Sequence, residues 1–338
     1  MSVTFTTIDF PGAEWTEANG INRHGPLGRS VQVVGTFADG SGTHGFLYSH
    51  GQYTRIDFPD GHNTEAYGIN GRSQIVGLYR KSPYPPLSDP PRECQAFILD
   101  SGTYQTIDTT LYPAGIFGEA AIYGKNNSGA IVGSYYSVGK VAAYGCTSPD
   151  PYAECGVEAP SPGSAQLYGI NSAGHAVGTE LIGTSGSGQT ARGIYTHSPN
   201  SGTSGLADLP GASSTYYRGI NDNEIICGYA DFGNSQVGFV VSTGPGFTVF
   251  QFPGANRTQV HGINNPIPDV ADTSFQVVGS YTSTSHIQRR GFMATLSPPH
   301  LVKWDGRDFI EQELAEGMVF RVDGQIVPAG QQSPEPKD

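Results

Sequence analysis

YGINGRSQIVGLY, residues 67–79, decides the fold of this chain. A strand-like run ends in Gly-Ile-Asn, a short polar stretch turns the chain, and a second run returns through an apolar residue, Val and Gly. The frame recurs. The Gly of Gly-Ile-Asn, or its equivalent, stands at Gly20, Gly68, Gly124, Gly169, Gly219 and Gly262, and the third copy, GKNNSG, has lost its Ile. Successive copies lie 43 to 56 residues apart. A period of about 40–50 residues is the size of a propeller blade.

Each unit reads as four strands. The first ends in Gly-Ile-Asn, where Asn suits the turn because its side chain closes an Asx turn. The second is QVVGTF, QIVGLY, AIVGSY, HAVGTE, IICGYA or QVVGSY, with Gly at 35, 77, 133, 178, 228 and 279. A Gly at one fixed strand position marks close backbone approach or a bulge. The third strand is HGFLY at 44–48, QAFIL at 95–99, VGFVV at 237–241 and GFMA at 291–294. YTRIDF at 53–58, YQTID at 104–108 and FTVFQF at 247–252 supply the fourth. Their alternation predicts half-buried antiparallel strands.

The chain opens on a fourth-strand segment, FTTIDFPG at 5–12, whereas the sixth unit runs into Ser297-Pro298-Pro299 with no such segment behind it. Residues 4–10 are therefore expected to complete the last unit, which removes the edges an open stack would leave. The expected fold is all-β: a six-bladed β-propeller over residues 1–297, closed by the N-terminal strand. Residues 298–338 read as a separate extension. WDGRDFIEQELAEGMVFRVDGQIVPAG is expected to hold a helix over about 307–316, with Phe309, Leu314 and Met318 as an apolar stripe and QQSPEPKD as a loose tail.

The pieces TxxxGIN, IVGxY and H-A/G-F, present as HGF at 44–46 and QAF at 95–97, resemble the bacterial HAF-repeat family, a probable extracellular repeat. The resemblance covers residues 4–297. It implies blade-like repeats and carries no chemistry of its own.

Composition narrows the function classes. Of 338 residues, 37% are hydrophobic and 14% charged, with 47 Gly, which suits a turn-rich β protein. A net charge of -12 argues against nucleic acid or an anionic membrane as main partner. No apolar run of about 18 residues predicts a membrane span. The start, MSVTFTTIDF, has neither a basic nor an apolar leader region. The expected location is cytoplasmic if the chain is complete and secreted if a leader has been removed. Cys94 and Cys227 read as buried thiols, while Cys146 and Cys155 flank a loop that a disulfide would close. No CxxC, HExxH, GxSxG, phosphate-loop or EF-hand pattern occurs, so no metal or cofactor is expected.

Chemistry is expected where loops converge on one face of the axis, at the fourth-to-first and second-to-third connections. These include PGAEWT at 11–16, which carries Trp15, and YTSTSHIQRR at 281–290, which carries His286. His44, His286 and Arg289–Arg290 are possible anion contacts there, against ordinary solvation. Two rows on the first strands form the sharpest constellation. Three residues before each repeat Gly stand Glu17, Glu65, Ala121, Gln166, Tyr216 and Gln259; one before it stand Asn19, Tyr67, Tyr123, Tyr168, Arg218 and His261. The period of two puts both rows on one strand face.

If that face looks into the channel, Glu17 and Glu65 form a crowded acid pair in which one carboxyl stays protonated as general acid. Tyr67, Tyr123 or His261 would then position a substrate, and Trp15, Tyr168, Tyr216, Arg218, Gln259 and His286 would bind it. Such rows equally serve to hydrogen-bond neighbouring blades or enclose water. The functional expectation is a scaffold that binds a small molecule, glycan or protein at the axial face. The alternative is a cofactor-independent cyclase, isomerase, lyase or hydrolase.

Overall fold

The protein is described from a computed structural model, which covers residues 2–24, 30–80, 94–107, 120–137, 140–146, 164–183, 188–198, 201–242, 247–267, 274–283 and 288–297, with 313–314, 318–320 and 326–328 in the tail. Among these residues every element is a strand. β1 (Ser2–Ile8) precedes the first repeat. Unit one holds β2 (Trp15–His24), β3 (Ser30–Asp39), β4 (Gly42–Ser49) and β5 (Gln52–Ile56); unit two holds β6 (His62–Ile69), β7 (Ile75–Arg80), β8 (Cys94–Asp100) and β9 (Thr103–Ile107). Unit three shows β10 (Ala120–Lys125), β11 (Ile131–Ser137) and β12 (Lys140–Cys146). Unit four holds β13 (Ser164–Ile170), β14 (Ala176–Ile182), β15 (Thr190–Thr196) and β16 (Ser204–Gly205). Unit five holds β17 (Ser214–Ile220), β18 (Ile226–Phe232), β19 (Ser235–Val241) and β20 (Phe247–Phe250). The last repeat contributes β21 (Arg257–Ile263), β22 (Phe275–Thr282) and β23 (Arg290–Ser297).

Within each unit consecutive strands pair antiparallel, and a single parallel bridge, Gln236 to Arg257, joins the last two units. β1 lies outside β23, in register from Ser2 opposite Ser297 to Ile8 opposite Gly291. The pairing thus spans residues 2–8 rather than 4–10; Asp9 and Phe10 have already left the ladder.

The extension departs from expectation. Glu313–Leu314 is a strand, β24, paired with β25 (Met318–Phe320), which pairs in turn with β26 (Ile326–Pro328). The helix expected over 307–316 is therefore not formed at 313–314, and residues 307–312 lie outside the described residues. Cys146 is disulfide-bonded, Cys94 and Cys227 are buried thiols, and Cys155 lies outside the described residues.

The core sits between units, not within them. Val76, Ala96, Ile98 and Ile107 of unit two pack with Ile122, Ile131 and Cys146 of unit three. Ile8, Ala18, Ile21, Val33, Phe37 and Phe46 pack with Val278 of the last unit. A single meander has no partner for its apolar face, so the units are stable only side by side.

The Gly-Ile-Asn frame is what lets them approach. A Cβ at Gly20 would stand 2.7 Å from the Tyr67 carbonyl oxygen, at Gly68 2.4 Å from that of Tyr123, and at Gly124 2.7 Å from that of Tyr168. At Gly262 it would stand 2.8 Å from the carbonyl oxygen of Asn19, so the last unit meets the first. The Asn does two jobs. Asn70 Oδ1 accepts from the backbone N–H groups of Arg72 and Gln74, the expected Asx turn. Its Nδ2 donates to the Asn126 carbonyl of the next unit at 3.1 Å. Asn22, Asn126, Asn171 and Asn221 make the same inter-unit bond, to the carbonyls of Asn70, Asn171, Asn221 and Asn264. Arg23 closes the series by donating to the Asn265 carbonyl at 2.5 Å. The carbonyls of Asn70, Asn126, Asn171 and Asn221 also accept an N–H of their own turn, so the Asn bond is a second one that ties each turn to the neighbouring unit.

Candidate functional site

Every first strand carries a bulge directly before its Gly. The pairing register jumps between Ala18 and Gly20, Ala66 and Gly68, Ile122 and Gly124, Leu167 and Gly169, Tyr217 and Gly219, and Val260 and Gly262. The residues passed over are Asn19, Tyr67, Tyr123, Tyr168, Arg218 and His261. Bulges re-aim side chains and cluster next to sites of function. All six of these residues line one cavity of about 1090 Å³. The entries to the first strands of units one, two and six are pinned as well. Thr16, Thr64 and Thr258 are buried and accept from the N–H groups of Phe10, Phe58 and Phe252, six residues upstream.

Of the row three residues before the Gly, Glu17, Glu65 and Gln259 also line the cavity, as does Trp15. Tyr216 is not among its lining residues. It stacks on Tyr229 with centroids 4.5 Å apart and donates to Asp231. Tyr229 fills the cavity side in its place. It follows the Gly of the second strand and stands directly opposite Tyr216, where units one and six carry the smaller Thr36 and Ser280. His286 and the insertions at 81–93 and 108–119 lie outside the described residues. Thr43, Gln236, Asn256, Arg257, Ser283 and Arg289 line the mouth, so it opens at the second-to-third and fourth-to-first connections. The opposite end of the first strands borders a smaller space of about 230 Å³, lined by the Asn series.

The bulge residues form a belt. Tyr67 and Tyr123 meet edge to face at 4.9 Å, and Tyr123 and Tyr168 are also 4.9 Å apart. The Arg218 guanidinium lies 3.8 Å over the Tyr168 ring and donates to the Tyr229 hydroxyl at 2.9 Å. Asn19 bridges to the next unit through the Ala66 carbonyl at 2.9 Å. Burial raises the pKa of Tyr67, Tyr123 and Tyr168, which keeps all three phenols protonated as donors.

The two acids have different surroundings. Glu17 pairs with Arg289 at 2.6 Å and meets His261 at 3.3 Å. Glu65 accepts from the Tyr67 hydroxyl at 2.5 Å beside the apolar group of Leu78, Cys94 and Ala121. Its pKa is raised, chiefly by burial; the Tyr67 bond and Arg80 oppose this, and the Glu17 charge adds only a lesser push. The expected cause, like-charge crowding, is thus subordinate to desolvation. Arg290 is engaged by Asp9. His44 is buried between Asp57, at 2.8 Å, and Asp39, at 3.3 Å, away from the cavity lining. Asp57 faces Nδ1, while Asp39 and Ser41, the latter at 3.0 Å, share Nε2, and the Ser41 hydroxyl also meets Asp39 at 2.6 Å.

His261 is held at about 4, first by burial, with Arg218 and Arg289 adding and Glu17 opposing. Its ordinary value is 6.5, so between about pH 6.5 and 4 the unfolded chain binds more protons than the folded one. Stability is therefore expected to fall as pH drops through that window, by about 3 kcal/mol for this group. Glu65 has the opposite sign: its raised pKa stabilises the fold in acid and loses that effect as pH rises. Melting temperatures of wild type and His261→Asn, taken between pH 7 and 4, should diverge, with the variant the less acid-sensitive. Parallel curves would refute the assignment.

No protein-family model matches the chain, and no curated protein does. Solved structures match in fold. A neuraminidase-like protein from A/bat/Guatemala/164/2009 aligns over 90% of this chain and 97% of its own, with TM-score 0.52 and 11% identity. Polysaccharide lyase Uly1 aligns over 79% and 75% at TM-score 0.43 and 9% identity. The α-L-arabinofuranosidase of Podospora anserina in complex with cellotriose aligns over 85% and 92% at TM-score 0.39 and 9% identity. With the first of these likenesses, the described residues define an all-β, propeller-like protein. At such identities the likeness is one of fold and not of chemistry. Among the described residues no helix is long and apolar enough to cross a membrane.

Proposed function

We propose that this protein is a six-bladed propeller of HAF-repeat type, closed by β1 against β23, that binds a small molecule or glycan in its wide axial cavity. The observation that carries this reading is the convergence of all six bulge residues on one space of about 1090 Å³. That volume suits a ligand of a few rings, and its wall combines aromatic faces with a few directed polar groups. A protein-observed NMR screen with neutral and charged monosaccharides tests it. Signals of Trp15, Asn19, Gln259 and His261 should move together and saturate. Shifts confined to other surfaces would overturn the reading.

A second reading, acid–base catalysis without a cofactor, is favoured by one specific observation. Glu65, with its raised pKa, and His261, lowered to about 4, line the same cavity. One is biased towards the acid form and the other towards the free base, the pairing that proton transfer at neutral pH requires. With a substrate in hand, Glu65→Gln should abolish turnover while leaving binding measurable. Undiminished turnover would eliminate this reading.

A further inference from the structure

We propose that Arg218 is an anion-binding residue of the cavity and that the ligand it takes carries one carboxylate on a hydroxylated ring. The inference rests on the cavity being the binding site and adds the class of ligand. Arg218 Nη2 donates to Tyr229, its plane covers Tyr168, and its buried Nε–H has no acceptor. Among the described residues no carboxylate lies within ion-pair distance of it. A guanidinium stays charged whatever its surroundings, and a charge this deep is costly unless an anion meets it. The aromatic contacts offset part of that cost but leave an N–H unanswered.

The other charges of the wall do not compensate it. Glu17 is taken by Arg289, burial disfavours the ionised form of Glu65, and His261 is neutral near pH 7. Arg257 lines the exposed rim and adds a second positive charge at the entrance. The cavity therefore favours a negative guest inside a chain of net charge -12. Arg218 is the one unmatched cation described deep in the cavity, which suits a monoanion, and the planar fork of Arg matches the two oxygens of a carboxylate.

The rest of the wall selects hydroxyl groups. Asn19 donates its amide N–H groups to the Ala66 carbonyl and Thr36, and Gln259 donates one to Gln236, so each presents its side-chain carbonyl oxygen as an acceptor. Acceptors of this kind are satisfied by hydroxyl donors. Trp15 and the Tyr123 ring, both lining the same space, supply faces for a sugar-sized ring.

The test follows the Arg218 Nε–Hε signal of the isotope-labelled full chain during titration with D-glucuronate, methyl α-D-glucoside and inorganic phosphate. Glucuronate should shift that signal saturably and bind at least about tenfold more tightly than the glucoside. Arg218→Lys should reduce glucuronate binding by a similar factor, because Lys keeps the charge but loses the fork. Should that variant fail to fold, the comparison of the three probes on wild type decides. Equal binding of glucuronate and glucoside would overturn the role of Arg218 while leaving the cavity reading intact. Phosphate binding as tightly as glucuronate would overturn the carboxylate class. No saturable response to any probe would overturn both proposals.

Discussion

Deletion of residues 1–10 is expected to unfold the whole repeat array, not merely to fray its last unit. The deletion removes all seven ladder positions opposite Gly291–Ser297 and leaves β23 as a bare edge. It also removes fully buried Ile8, and Phe5, which packs 5.1 Å from Phe252 and 5.8 Å from Phe292. Phe10, stacked 3.7 Å from Phe37, goes as well, so unit one loses part of its own support. Burial of three such side chains is worth roughly 6 kcal/mol on area grounds, comparable with the whole net stability of an ordinary domain. Because each unit's core is shared with the next, the loss cannot stay local. The expected result is a truncated chain that lacks a cooperative melt and self-associates through its edge. A synthetic peptide of residues 1–13, added in trans, should restore the transition by strand addition. A truncated protein that melts at the wild-type temperature would refute closure by β1.

The repeat was legible because its signal is redundant: six glycines, six second-strand glycines and a recurring Asn point to one unit. The two rows before the repeat Gly were legible for the same reason, since a period of two needs only the position of the Gly. The bulge was legible in part: the fixed second-strand Gly read as close approach or a bulge, but not that the bulge sits on the first strand facing it. Tyr229 escaped because its exposure to the cavity depends on a cross-strand partner, Tyr216, that a single strand's pattern does not reveal. The Arg289–Glu17 pair escaped because it joins the two ends of the repeat array, far apart in sequence. The acid pair was consequently drawn as two equals, whereas the fold gives Glu17 a cation and Glu65 an apolar pocket. In the tail, a stripe of three apolar residues fits helix and strand alike, so the spacing alone did not decide between them.

The second-strand glycines bind architecture and site into one feature, and Gly77→Ala is the substitution that exposes it. A Cβ there would stand 2.0 Å from the Glu65 carbonyl oxygen, 3.0 Å from the carbon that bears it and 3.0 Å from the Phe97 ring. Backbone atoms cannot swing aside as the end of a flexible side chain can. The only relief is to push away the bulge that carries Glu65 and Tyr67. Alanine in place of a strand Gly ordinarily stabilises, since Gly costs about 0.5–1 kcal/mol in chain entropy. Here the sign should reverse, with a loss of about 3 kcal/mol, the upper end of the usual cost of overpacking. Gly40→Ala is the control: no atom lies within 4 Å of its added Cβ, so its stability should change by less than about 0.5 kcal/mol. Urea denaturation measures the difference. Carboxyl NMR of Glu65 supplies an independent readout, because a displaced bulge carries that group towards water and its raised pKa should relax to the ordinary carboxylate value. Equal stability of the Gly77 and Gly40 variants would mean that the bulge yields freely. It would then be too soft to aim Glu65, Tyr67 and their counterparts at one cavity, and the site as drawn would lose its physical basis.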